Sequence, residues 1–371
     1  MKVCILSMQM IDNMGSVLQA YALKTLIEKL ENEVEFIDIK KIKEDYEVLG
    51  DYKQEYCEEY EKDGLIGKIK KCDIYFLNRL RIKKQRVKQG VLFNKFRTEY
   101  LKIENKNLQY DICVIGSDEV FNCLNSGIWG FTSQLFGNVT EANKVITYAA
   151  SCGSTEYEEL PVKVAEKIRE TFEQVAAFSV RDENTYKFVK NLTDKQISCN
   201  LDPVLIYNFD YEVEQVFLPK MPKHYCVVYS YYNRIHTSEE IDAINKFCKK
   251  HNLTPVAIGA PQFWIKNYMV CSPFQCLKIF KKSDFVITDT FHGTIFASKY
   301  AEKFAVLARP SNKNKLLDLV DKIEMKDHLM SDFSQLEEKY GILKNKDKFN
   351  SIIEKETTKT IYYLKNNIQV V

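Results

Sequence analysis

His292 sits in the run Asp289-Thr290-Phe291-His292-Gly293-Thr294, after the apolar stretch Phe285-Val286-Ile287 and before Ile295-Phe296-Ala297-Ser298-Lys299-Tyr300. That order reads as strand, tight turn, helix, with an imidazole and the hydroxyls of Thr290 and Thr294 near the first helical turn. Free backbone N–H groups and the positive end of the helix dipole favour an anion there. An imidazole moves a proton near neutral pH. The position therefore suits a small phosphorylated or carboxylated reactant that gains or loses a proton. Asp289 precedes the turn, where it orients His292, acts as a base, or serves as a cap. Arg181 follows a second apolar run, Ala176-Ala177-Phe178-Ser179-Val180. Its planar fork can hold a carboxylate or phosphate at two points, or pair with neighbouring Asp182.

These residues need elements to position them. Val3-Cys4-Ile5-Leu6 reads as a buried strand, followed by a loop with Gly15-Ser16. The apolar stripe Val17, Leu18, Ala20, Tyr21, Leu23, Leu26, Ile27 and Leu30 predicts a helix. Val34–Ile39 is the next strand. Further strands are expected at Tyr110–Ile115, ending in Gly116-Ser117-Asp118, and at Lys144–Ala149, Ala176–Val180, Tyr225–Ser230, Pro255–Gly259, Phe285–Ile287 and Phe304–Ala308. Helices are expected near 158–174, 237–251, 273–282 and 347–367. Strands alternating with helices imply parallel sheets covered on both faces, with ligands beyond the carboxyl ends of the strands.

The chain has 371 residues, more than one core usually supports. The expectation is an α/β protein of two Rossmann-like domains facing a cleft. Residues 1–208 would form the N-terminal domain, 209–350 the C-terminal domain and 351–371 a terminal helix. An inserted helical segment is expected at about 64–102. Between Lys68 and Arg97 there are eleven Lys or Arg and one acid, Asp73. That stretch either touches an anionic membrane or a pyrophosphate group, or is a solvated face packed on its domain. The preceding residues, 41–63, are acidic and rich in Tyr.

Hydrophobic content of 45%, charged content of 28% and a formal net charge of +2 are ordinary, so no bulk electrostatic partner is implied. No run reaches the roughly 18–20 apolar residues of a membrane span, and the start of the chain lacks signal-peptide features. A cytoplasmic location is expected, or one peripheral to the inner face of the membrane. The eleven cysteines show no CxxC spacing, and no metal site is expected. Neither a P-loop nor GxGxxG occurs, and nothing marks a nucleic-acid binder.

The motifs also carry a family likeness. Asn13-Met14-Gly15-Ser16-Val17-Leu18-Gln19-Ala20-Tyr21-Ala22-Leu23 resembles the N-terminal signature of the polysaccharide pyruvyl transferases. Ile115-Gly116-Ser117-Asp118-Glu119-Val120-Phe121-Asn122 is similar to their second motif. Tyr148–Gly153, Ser179-Val180-Arg181-Asp182, Asp202-Pro203 and Phe291-His292-Gly293-Thr294 follow in the family's order. The resemblance implies a fold like the B-type glycosyltransferases. It also implies transfer of a pyruvyl group from phosphoenolpyruvate to a sugar of a cell-surface polysaccharide or its lipid-linked precursor, with no cofactor.

On that basis His292 is the expected acid/base, and Asp289 its neighbour in catalysis. Arg181, Thr290, Gly293, Thr294, Arg309 and Lys313 are expected on the donor. Asn13, Gly15, Ser16, Gly116, Ser117 and Asp118 are expected on the acceptor, unless they only cap helices and close turns. Some resembling proteins carry Arg-Leu-His where Thr290-Phe291-His292 stands. A donor cation is therefore missing there, and the Thr hydroxyls with backbone N–H groups, or Arg309 or Lys313, would replace it. Two rival readings share this architecture: a sugar-nucleotide-dependent glycosyltransferase and a non-catalytic glycan-binding protein.

Overall fold

The computed structural model describes residues 1–40, 42, 45, 48, 74–103, 109–124 and 130–369, with 74–80 as backbone only. Most of the acidic 41–63 stretch, and residues 64–73 of the expected insertion, lie outside the described residues.

Two parallel six-stranded sheets form the frame. The first has the order β2 (Glu33–Phe36), β1 (Lys2–Leu6), β3 (Tyr110–Asp118), β4 (Ala142–Ala150), β5 (Val175–Val180), β6 (Ile197–Cys199). The second has the order β12 (Leu329–Met330), β11 (Phe304–Leu307), β10 (Phe285–Thr288), β7 (Tyr225–Tyr229), β8 (Thr254–Ile258), β9 (Asn267–Tyr268). Strands such as Val3-Cys4-Ile5-Leu6 and Phe285-Val286-Ile287 are buried on both faces, which explains their uninterrupted apolar runs. The architecture is α/β, with two Rossmann-like units whose strand ends meet at a cleft. The expected strand to Ile39 is shorter: its bonding to β1 ends with Ile37 N donating to the Ile5 carbonyl at 3.0 Å, and Ile37 and Ile39 stay buried beyond the strand.

The helix Met14–Glu28 explains why the two units share a core. Twelve of its residues are buried, Lys24 among them, so it has no solvent face of the usual amphipathic kind. It lies in one apolar cluster with Val3 and Ile5 of the first sheet and with Phe274, Ile295 and Phe296 from the second half. Lys299 Nζ adds hydrogen bonds to the Leu205 and Tyr207 carbonyls, at 2.9 and 2.7 Å.

Two further helices tie the halves together. The terminal helix Lys346–Ile368 returns to the first sheet, where Tyr363 Oη donates to the Thr147 carbonyl at 2.8 Å. The helix Ile74–Phe96, from the basic segment, reaches across to the rim of the second sheet. Gln89 Nε2 donates to the Cys271 carbonyl at 2.8 Å, and Cys271 N donates back to Gln89 Oε1 at 3.1 Å. Gln85 Nε2 donates to the Tyr268 carbonyl at 3.1 Å, and Arg81 Nη2 to the Lys266 carbonyl at 2.7 Å. Among the described residues no helix is long and apolar enough to cross a membrane.

Candidate functional site

The strand β10 ends at Thr288, and the helix Phe291–Tyr300 begins three residues later. Thr290 is its N-cap, accepting from Gly293 N at 3.0 Å. The Thr294 hydroxyl donates to the Thr290 carbonyl at 2.9 Å. A β-carbon on Gly293 would collide with the hydroxyls of Thr288 and Thr290. Thr290, Gly293 and Thr294 are buried and hold the turn; none of them lines the cleft. The turn aims His292 outward into that cleft, at the first half of the chain.

Its landing place is built from two elements of the first half. The ring rests on Gly15, in the first turn of Met14–Glu28, where any β-carbon would overlap the imidazole. Its Nε2 lies 3.5 Å from Asp202 Oδ2, an ion-pair distance longer than a hydrogen bond. Asp202 caps the short helix Pro203–Ile206, its Oδ1 accepting from Val204 N at 2.9 Å. The other oxygen is left for His292 and for Arg181 Nη1, at 3.0 Å. Burial alone would raise the Asp202 carboxyl, but His292 and then Arg181 hold it below its ordinary value.

Arg181 is buried, with its guanidinium 4.3 Å from the centre of the Phe291 ring. Desolvation works against its charge, yet Asp202, Asp118, Asp182 and Glu119 together raise its pKa. The expected alternative pairing with Asp182 is the more distant contact, at 3.9 Å, and Asp202 is the main partner.

The cleft has a volume of about 540 Å³ and is lined from both halves. The first half contributes Asn13, Ser16, Asp118, Glu119, Asn122 and Arg181; the second contributes Tyr231, Arg234, His292, Ser311 and Lys315. Asn13 caps its helix, accepting from Gly15 N at 2.7 Å. Ser16 Oγ donates to Asp118 Oδ2 at 2.8 Å, and Asp118 holds a left-handed φ of 86°. Gly116 and Ser117 stay behind this surface. Gly116 has φ 124° and abuts the Tyr148 carbonyl, and Ser117 Oγ donates to Gln19 Oε1 at 2.8 Å. Neither lines the cleft.

The expected cations fall elsewhere. Arg309 Nε donates to Asp289 Oδ2 at 2.6 Å, and its Nη2 lies 2.8 Å from Glu240 Oε1. Lys313 is exposed, and neither residue is among those lining the cleft. Asp289 is buried against Arg309, with Arg234 Nε at 3.7 Å; the carboxylate beside the imidazole is Asp202. The cleft receives Arg234 and Lys315 instead. Arg234 follows β7, and its Nη2 donates to Ser311 Oγ at 2.6 Å. Lys315 Nζ donates to Glu119 Oε1 at 2.6 Å, bridging the halves. Neither carries a sequence signal: Arg234 sits in an unpatterned loop, and Lys315 lies two residues beyond Lys313, the expected cation. Asp202-Pro203 was legible as a motif, but its role beside His292 depends on contact between distant segments.

Glu119 gives a pH test of this bridge. Burial pushes its carboxyl up, but Lys315, with help from Arg181 and Asn122, brings it down from 4.5 to about 2. A depressed folded-state pKa stabilises the protein above the unfolded value and loses that contribution as pH falls through the folded one. Glu119→Gln is therefore expected to lower the melting temperature by a few degrees at neutral pH. The gap to wild type should close between pH 4.5 and about 2. A gap independent of pH would show that the ion pair is not its source.

Gly15→Ala tests the seat of His292. The added methyl displaces the imidazole, and a shift of about 1 Å from a productive position costs about 10²-fold in rate. The expected outcome is a large loss of turnover with a folded, cooperatively melting protein.

The other described histidines are placed outside the cleft. His328 stacks on Phe304, and burial pulls its pKa below the ordinary value; His224 and His236 sit among polar surface groups, and His251 packs on Phe247 and Tyr340 with its Nε2 3.0 Å from Glu337 Oε2. Among the described residues no group of three or more His, Cys, Asp or Glu is placed to hold a metal ion.

The family model described as polysaccharide pyruvyl transferase matches residues 13–311. No curated protein matches the chain. Among solved structures, UDP-GlcNAc 2-epimerase from Methanocaldococcus jannaschii aligns over 98% of this chain and 100% of its own, with 9% identity and a TM-score of 0.48. A putative UDP-N-acetylglucosamine 2-epimerase from Listeria monocytogenes aligns over 99% and 90%, with 10% identity and a TM-score of 0.47. The E. coli heptosyltransferase WaaC aligns over 85% and 91%, with 11% identity and a TM-score of 0.36.

Proposed function

The chain belongs to the polysaccharide pyruvyl transferase family, and from that premise we propose that it transfers pyruvate from phosphoenolpyruvate to two hydroxyls of a sugar in a cell-surface glycan or its precursor, forming a cyclic ketal. The observation that carries the reading is His292, held between Gly15 and Asp202 at a cleft that also presents Arg181, Arg234 and Lys315. The donor brings a carboxylate and a phosphate, and guanidinium groups suit both. Arg181 and Arg234 hold them, with Lys315 adding charge.

His292, protonated beside Asp202, gives its proton to the methylene carbon of the enol. The adjacent carbon becomes electrophilic, and one sugar hydroxyl attacks it. The imidazole accepts that hydroxyl's proton. The carbon–oxygen bond to phosphate then breaks, the second hydroxyl closes the ketal, and its proton leaves with phosphate. Asn13, Ser16 and Asp118 lie on the first-half wall, where their side chains can meet sugar hydroxyls. The reaction draws on these side chains with no cofactor.

The test is mass spectrometry of candidate glycan intermediates incubated with the protein and phosphoenolpyruvate, alongside phosphate release. The expected result is an added pyruvate ketal with one phosphate per transfer. A parallel thermal-shift series compares phosphoenolpyruvate with UDP- and GDP-sugars. Stabilisation by nucleotide sugars alone would replace this reading with glycosyl transfer, and stabilisation by neither donor would favour a glycan-binding protein.

A further inference from the structure

The helix Ile74–Phe96 turns a basic surface to solvent beside the cleft. From Arg81 to Thr98 the chain has no acidic residue. At about 100° per residue, Ile82, Gln89, Phe93 and Phe96 share the inward face, and all four are buried. On the opposite face Val87 and Val91 are 64% and 61% exposed. Lys83, Lys84, Lys88 and Lys95 surround them, all exposed. The first acid after the stretch is Glu99, 3.5 Å from Lys95.

The inward face explains why the helix is held, but nothing in that packing calls for two bare valines ringed by lysines. An anionic polymer would answer the lysines and gain nothing from the valines. A bilayer answers both: anionic headgroups meet the ammonium groups, and the short apolar side chains enter the headgroup boundary.

The location gives this surface a use. Arg86 lies 5.3 Å over the Tyr232 ring, next to Tyr231 of the cleft wall. Arg97 pairs with Asp12 at 2.8 Å, next to Asn13 of the opposite wall. The helix thus runs along the rim of the cleft.

We infer that the outward face of this helix, centred on Val87 and Val91 and ringed by Lys83, Lys84, Lys88 and Lys95, docks the protein on a membrane surface rich in anionic phospholipid, with the cleft beside it. Binding is electrostatic in its larger part and weakens as salt screens the lysines. It needs neither donor nor acceptor.

Cosedimentation of the full chain with vesicles tests this. Phosphatidylcholine vesicles containing phosphatidylglycerol are compared with phosphatidylcholine alone, at low and physiological ionic strength. The protein is expected to sediment with the anionic vesicles, less so at higher salt. The variant combining Lys83→Glu, Lys84→Glu and Lys88→Glu is expected to lose at least about tenfold in partitioning, with an unchanged melting temperature. Should that variant misfold, Val87→Ser with Val91→Ser provides a milder pair that must also weaken vesicle binding. Equal sedimentation with both vesicle types overturns the inference, as does insensitivity to either set of substitutions. Retention on heparin without vesicle binding also overturns it, pointing to an anionic polymer. Because the assay contains no phosphoenolpyruvate, its failure leaves the transfer reaction untouched, and failure of transfer leaves vesicle binding to be judged by itself.

Discussion

Replacing His292 with glutamine is expected to lower the turnover of the proposed pyruvyl transfer by about 10²–10⁴-fold, the usual contribution of a positioned acid/base group. Glutamine is polar and of similar reach but cannot give a proton to carbon. The loss should therefore appear in kcat, with a smaller change in the KM for the proposed donor, phosphoenolpyruvate, because Arg181, Arg234 and Lys315 still line the cleft. Phosphate release in the presence of a competent acceptor measures it. The ring is 12% exposed, contacts Asp202 and Gly15, and meets the Phe291 and Phe296 rings at centroid distances of 5.5 and 6.1 Å, so the variant should melt within a few degrees of wild type. Near-normal turnover would remove His292 from the chemistry and leave it as an interdomain contact.

Asp202 should show two separable effects. It is fully buried, caps Pro203–Ile206 and faces both Arg181 and His292. Asp202→Ala leaves a buried guanidinium without its nearest counter-charge, a change that costs about 3–5 kcal/mol where no other partner steps in. Asp182 and Asp118 remain near Arg181, which places the expected loss toward the lower end, read by urea unfolding. Asp202→Asn retains an oxygen for Val204 N and spares much of that stability. It removes the negative charge beside the imidazole, and turnover should fall by about 10²-fold or more. A loss of stability in Asp202→Asn as large as in Asp202→Ala, with unchanged turnover, would make the carboxylate purely structural.

The acid side of the stability profile has a stated sign. The Asp202 carboxyl sits below its ordinary value of 3.8. Its contribution is present above that value and disappears as pH drops below it. Glu119 behaves the same way over a window reaching down to about 2. Both groups reach the second half of the chain, to His292 and Lys315, so acid should weaken the seam between the halves together with the fold.

Much of the frame was legible because its signals are local. Helices expected at 237–251, 273–282 and 347–367 are observed at Ser238–Lys250, Pro273–Lys281 and Lys346–Ile368. Capping patterns such as Thr237 with Glu240 and Ser272 with Gln275 mark two of the starts. The two-residue strands β9 and β12 left no apolar run to read. At the site, the turn around His292 was visible because strand, Thr cap and helix follow one another in sequence. Its neighbours were not. Gly15 and Asp202 approach it only through the docking of the two halves, and Arg234 and Lys315 enter the cleft by loop and helix geometry that spacing does not encode. Asp289 and Arg309 illustrate the converse: adjacent to the right turn or strand, they pair with one another instead of facing the cleft.

The glutamine contacts of the bridging helix have a structural consequence of their own. β9 is the last strand in its sheet's order, and an open margin of that kind recruits neighbouring chains. Gln85 and Gln89 offer carboxamides to the main chain at Tyr268 and Cys271, standing in for part of the bonding a further strand beside β9 would supply. The second half of the molecule therefore borrows a guard against self-association from a segment encoded more than 180 residues earlier, and severing the two would leave that margin adhesive.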